Sequence, residues 1–139
     1  MTLTLLSPPG PLYAYYREVE AALAVAQQMH ERQMALKAVH PDFYDPEVHA
    51  MVLAFNLRMV GRKIDALISS FRACIPSAHR DSVSPQTARL QAALQQYNAA
   101  LAACDARDTP VEISLNVLEM AFACLASIEQ DVQYVERRY

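Results

Sequence analysis

Glycine is nearly absent from this chain: Gly10 and Gly61 are the only two in 139 residues. Phosphate-cradling loops need several glycines for close backbone approach, so the usual nucleotide-binding enzyme classes are excluded. There is no basic excess either, with 12 Lys+Arg against 15 Asp+Glu and a net charge of −3. Nucleic-acid binders draw most of their affinity from phosphate neutralisation, and this balance argues against that role. Cysteine is sparse and odd in number: Cys74, Cys104 and Cys124 lie within apolar helical patterns. That usage indicates reduced, buried thiols in a cytoplasmic protein and not a disulfide framework. The first residues lack the basic start and apolar run of a secretory signal. Apolar stretches fall short of the ~20 residues of a membrane span, so no membrane partner is expected.

What is present is apolar and helix-favouring. Hydrophobic residues make up 53% of the chain and charged residues 19%, enough for one compact domain to bury a core. Alanine, leucine, glutamine and methionine lose little side-chain freedom in a helix. A turn residue followed by proline occurs four times, at Gly10-Pro11, Asp45-Pro46, Ser84-Pro85 and Thr109-Pro110. Proline suits a first helical position because its missing N–H would be unpaired there, and Asp, Ser or Thr before it can accept from first-turn amides. Thr109 and Glu112 form a capping box. These marks predict helices over 11–38, 46–74, 85–105 and 110–138.

Periodicity supplies each helix with a core-facing stripe. The first has Leu12, Tyr16, Val19, Leu23, Ala26 and His30; the second has Leu53, Leu57, Val60, Ile64, Leu67, Phe71 and Ile75. The third has Leu90, Leu94, Tyr97, Leu101 and Cys104; the fourth has Val111, Leu115, Leu118, Phe122, Leu125, Val132 and Val135. Three long helices of similar length and short connections predict an all-α, antiparallel up-down four-helix bundle with a short extended N-terminal segment.

Metal and cofactor motifs are missing. No Glu-x-x-His, Cys-x-x-Cys or His-Glu-x-x-His occurs, and His30-Glu31 and Glu47-Val48-His49 have the wrong spacing to share a face. His30 is the one candidate ligand, and its plainer reading is a half-buried histidine bonded to a neighbour. No metal, cofactor or nucleophile is therefore expected.

One catalytic pattern stands in the sequence. Arg72 and His79 are separated by six residues, with Ala73 after the arginine and Pro76 between the pair. The spacing resembles the arginine–histidine motif of the HEPN ribonucleases, helical bundles of similar length. In that family the two side chains meet, usually across a dimer, to cleave RNA. The resemblance covers eight residues and implies catalytic roles for Arg72 and His79. Family members usually carry a polar residue where Ala73 stands.

The second helix carries more apolar surface than one core face requires. Val48, Val52, Phe55 and Met59 form a stripe well over 100° from the core stripe, bordered by Arg58 and Arg62. Three things could cover it: the N-terminal segment with Leu3, Leu5 and Leu6; a second copy; or a different protein. Around it lies a polar side with Arg58, Arg62, Asp65, Ser69 and Arg72, and the fourth helix offers acidic residues Glu112, Glu119, Glu129, Asp131 and Glu136 that a dimer could set against it. Tyr13, Tyr15 and Tyr16 would meet Tyr134 and Tyr139 at one end of the bundle. The functional expectation is a non-enzymatic protein-interaction module: an adaptor, secretion chaperone, regulator or toxin-neutralising protein. An RNA-cleaving protein and a bundle holding a small apolar ligand are the alternatives.

Overall fold

The computed structural model describes residues 11–74, 84–105 and 110–138. They form four α-helices and no strand: α1 (Pro11–Val39), α2 (Pro46–Cys74), α3 (Ser84–Ala102) and α4 (Val111–Arg138). The N-terminal segment and Ile75, Pro76, His79, Thr109 and Tyr139 lie outside the described residues.

Proline decides where α1 stops. A residue preceding proline is pushed out of the helical region, and His40 before Pro41 sits at φ −132°, ψ 69°. Its N–H still closes the last turn on Leu36 O at 2.8 Å. Pro41–Phe43 then makes one 3₁₀ turn, with Tyr44 N–H donating to Pro41 O at 3.2 Å. Asp45 starts α2 as the sequence predicts, its carboxylate accepting from Glu47 N–H at 2.9 Å and its carbonyl from His49 N–H at 3.0 Å. α3 ends earlier than expected, because its last turn tightens into a 3₁₀ turn at Ala103–Asp105.

α2 and α4 each pack against the other three helices, and α1 packs against α2 and α4. Glu18 bonds Lys63 and His30 bonds His49, so numbers rise along α1 as they fall along α2. The same holds between α1 and α4, where Tyr13 meets Glu136 and Tyr16 meets Glu129. The α1 and α2 stripes are buried as expected: Leu12, Tyr16, Val19, Leu23 and Ala26 against Leu53, Leu57, Val60, Ile64, Leu67 and Phe71. Each fully buried leucine or isoleucine contributes about 1.5–3 kcal/mol of transfer free energy.

The fourth stripe needs correction. The buried face of α4 is Ser114, Val117, Leu118, Ala121, Ile128, Asp131, Val132 and Val135, while Phe122 is 42% exposed and Val111, Leu115 and Leu125 are half-buried. That face is built partly from small residues, Ser114 and Ala121, both buried. Following bulky residues alone therefore points one position away. α4 also corrects the expectation about apolar runs: over Val111–Glu136 it is long and apolar enough, by length and composition, to cross a membrane. Only 28% of that apolar stretch is buried in the bundle, and Ile113 and Phe122 stay exposed.

Candidate interaction surface

At 100° per residue the buried positions of α2 centre on Leu57, Ile64 and Phe71, and the second stripe lies on the opposite side. Val48 is 46% exposed, Met51 63% and Phe55 60%, with Val52 and Met59 half-buried beside them. Arg58 and Arg62 are exposed at its border. The Arg62 guanidinium reaches back to Met59, with Nη1 3.8 Å from Sδ, so the stem of the arginine lies over the end of the apolar strip. Past Arg62 the same side continues through Ala66, Ser70 and Ala73. Met51 belongs to the patch although the sequence reading left it out. Its signal was there: it lies one turn after Val48 and one turn before Phe55.

Other exposed apolar residues are separate from this strip along the chain. Val25 and Met34 lie on α1, Val39 and Phe43 at the α1–α2 turn, and Ile113 and Phe122 on α4. None forms a run of three or more along one helix face, as Val48, Met51 and Phe55 do.

Three of the α4 carboxylates that a dimer could set against the polar border are engaged within the chain. Glu129 accepts from the Tyr16 hydroxyl at 2.7 Å, Glu136 accepts from Tyr13 N–H at 3.3 Å, and Asp131 is buried and paired with Arg89. Three of those five carboxylates thus hold α4 to α1 and α3, and Glu112 and Glu119 stay exposed. Lys63 likewise turns to Glu18 on α1 at 3.1 Å. Burial and the Glu129 carboxylate push the Tyr16 hydroxyl well above its ordinary pKa, so it stays a proton donor. The tyrosine-rich end is therefore a bundle closure, with Tyr13, Tyr15 and Tyr134 packed against the core.

A second polar cluster lies near the start of α2, and sequence reading missed half of it. His49, 1% exposed, stacks on His30 with ring centroids 5.2 Å apart. His30 Nδ1 and His49 Nε2 are 3.1 Å apart, and His49 Nδ1 is 2.8 Å from the Tyr44 hydroxyl. Lys37 Nζ lies 5.4 Å from the centre of the Tyr44 ring. A neutral imidazole carries one N–H, so both His49 nitrogens are used: one donates and the other accepts. Burial first, then the His30 ring and Lys37, hold the His49 pKa below its ordinary value. Burial, Glu112 and Asp45 push the Tyr44 hydroxyl up. His30 is thus a histidine bonded to a neighbour; that neighbour is His49, which no spacing rule singles out. Among the described residues no group of three or more His, Cys, Asp or Glu side chains could hold a metal ion.

The arginine–histidine pair of the ribonuclease resemblance falls outside the described side chains. Arg72 lies in the last turn of α2, its side chain and His79 outside what is described. Comparison with protein-family models, curated proteins and solved structures gave no match.

Proposed function

We propose that this chain is a non-enzymatic protein-interaction module that docks a protein partner through the outer face of α2. The observation that carries the reading is the exposure of Met51 and Phe55 together with Val48 on the side of α2 turned away from the core. Large apolar side chains in one strip, rimmed by arginine, are what interface cores are built from, and leaving them in water forgoes their transfer free energy. Adaptor, chaperone, regulator and neutralising roles all use such a face. The free thiols of Cys104 and Cys124, one buried and one half-buried, fit the cytoplasmic setting that belongs to this reading.

The test is photocrosslinking in the native host, with benzoylphenylalanine placed at Phe55 and, as control, at exposed Gln95 on α3. A defined adduct from position 55 and none from position 95 is expected. Equal, diffuse labelling from both positions would refute a docking face on α2.

A further inference from the structure

We propose that the partner on this face is a second copy of the chain, docked with α2 antiparallel to α2 about a two-fold axis passing beside Phe55. The inference rests on the interaction reading above and names its partner.

The strip has the spacing of a helix–helix seam. Val48, Val52, Phe55 and Met59 follow one another at steps of four, three and four residues, and Arg62 and Ala66 continue the series. A seam of that period packs knobs into holes against another helix carrying the same period. A two-fold interface must be complementary to itself, and charge decides which direction meets that condition. Parallel alignment would set Arg62 on the seam against Arg62 of the other copy. Antiparallel alignment with Phe55 facing Phe55 sets Met51 beside Met59 of the second copy and Val48 beside Arg62. Glu47, exposed in the first turn of α2, then comes to Arg62 of the second copy.

The flanks agree with this register. At 100° per residue Glu47, Met51, Arg58 and Arg62 lie on one flank of the strip, and in an antiparallel pair like flanks meet in reverse order. Each dimer gains the Glu47–Arg62 contact twice. Within the chain, Arg62 has its guanidinium on Met59 Sδ, at the very edge of the strip it would help to close. Of the five α4 carboxylates, Glu129, Asp131 and Glu136 are engaged within the protomer, which leaves Glu112 and Glu119 exposed.

Light scattering on the full chain, from low to high micromolar, tests the proposal. The expected mass is twice the 15.5 kDa of one chain. Phe55→Glu, folded by circular dichroism because its side chain is exposed, should give a monomer throughout that range. Glu47→Arg and Arg62→Glu should each raise the dimer dissociation constant about two- to thirtyfold, as expected for two symmetry-related exposed ion pairs. The double variant Glu47→Arg/Arg62→Glu should recover most of the loss, because the swapped pair is complementary again.

Phe55→Cys reads the direction. Near the axis it should crosslink two copies on oxidation, whereas Ala66→Cys, on the same strip but far from the axis, should not. Crosslinking at both positions would overturn the antiparallel register. A wild-type monomer at every concentration overturns self-association. If that monomer still crosslinks through position 55 to a different host protein, the interaction reading stands with another partner; if it crosslinks to nothing, both fall.

Discussion

Replacing Gly61 by alanine should destabilise the bundle, although the intrinsic preference of a helix interior points the other way. Alanine is favoured over glycine there by about 1 kcal/mol. Against that gain stands the ring of Tyr97. A Cβ at position 61 would lie 3.1 Å from Tyr97 Cε1 and 3.6 Å from Cδ1. A flexible side chain would move aside, but Tyr97 is wholly enclosed and its hydroxyl donates to Leu57 O on α2, one turn before Gly61. Displacing the ring from α2 lengthens that bond and presses the ring into its other neighbours.

Overpacking of this kind costs about 1–3 kcal/mol, and weakening the buried bond adds part of its usual net value of about 1 kcal/mol. The net expectation for Gly61→Ala is a loss of about 1–2 kcal/mol, which for a chain of this size lowers the melting temperature by about 3–8 °C. Thermal unfolding followed by circular dichroism measures it. The decisive comparison is the same substitution in a Tyr97→Leu background. With the ring gone, the propensity gain stands alone and Gly61→Ala should raise stability by about 0.5–1 kcal/mol. A rise in the wild-type background, or equal effects in both, would refute the steric argument.

Stability should fall as pH drops below the ordinary histidine value of about 6.5, because His49, held below that value in the fold, takes its proton only in the unfolded chain. The slope approaches ~1.4 kcal/mol per pH unit for one proton. Urea unfolding from pH 7.5 to 5.5 should show it in the wild type and a shallower slope in His49→Leu; identical slopes would exclude His49 as the source. Arg89→Leu should cost about 1–3 kcal/mol, since it strands the buried Asp131 carboxylate, whose second oxygen already lacks a partner. The pair Arg89→Leu/Asp131→Leu should regain most of that in the same denaturation assay, and a double variant worse than the single one would contradict it. Ser114, wholly buried with an unpartnered hydroxyl, should tolerate Ser114→Ala with a change of no more than about 0.5 kcal/mol in either direction. A larger loss by urea titration would reveal a bond that the hydroxyl does make.

Helix positions were legible in the sequence because their causes are local. Pro11, Pro46 and Pro41 act on their own backbone, and Asp45 bonds an amide two residues on. The stripes of α1 and α2 were legible for a similar reason, since a run of large apolar side chains with a 3.6-residue period defines one face whatever it packs on. The surplus strip on α2 follows from the same arithmetic, and Val48, Val52, Phe55 and Met59 were named from it. Met51 lies toward the flank of the strip, outside its four–three spacing.

Three features needed the tertiary structure. The face of α4 was set by the three helices it packs against, which bury small Ser114 and Ala121 beside Val117 and Ile128, and the spacing of bulky residues in one helix does not encode that. The roles of Glu129, Asp131 and Glu136 depended on which helix stood across from each, so a row of carboxylates that read as a free acidic surface became internal ties to α1 and α3. His30 and His49 are nineteen residues apart, and they stack because the turn at Pro41 folds α1 back along α2. Local backbone chemistry and residue period fixed the helices and one unspent apolar face; contacts between residues distant in the chain decided which polar groups were free to meet a partner and which were already taken.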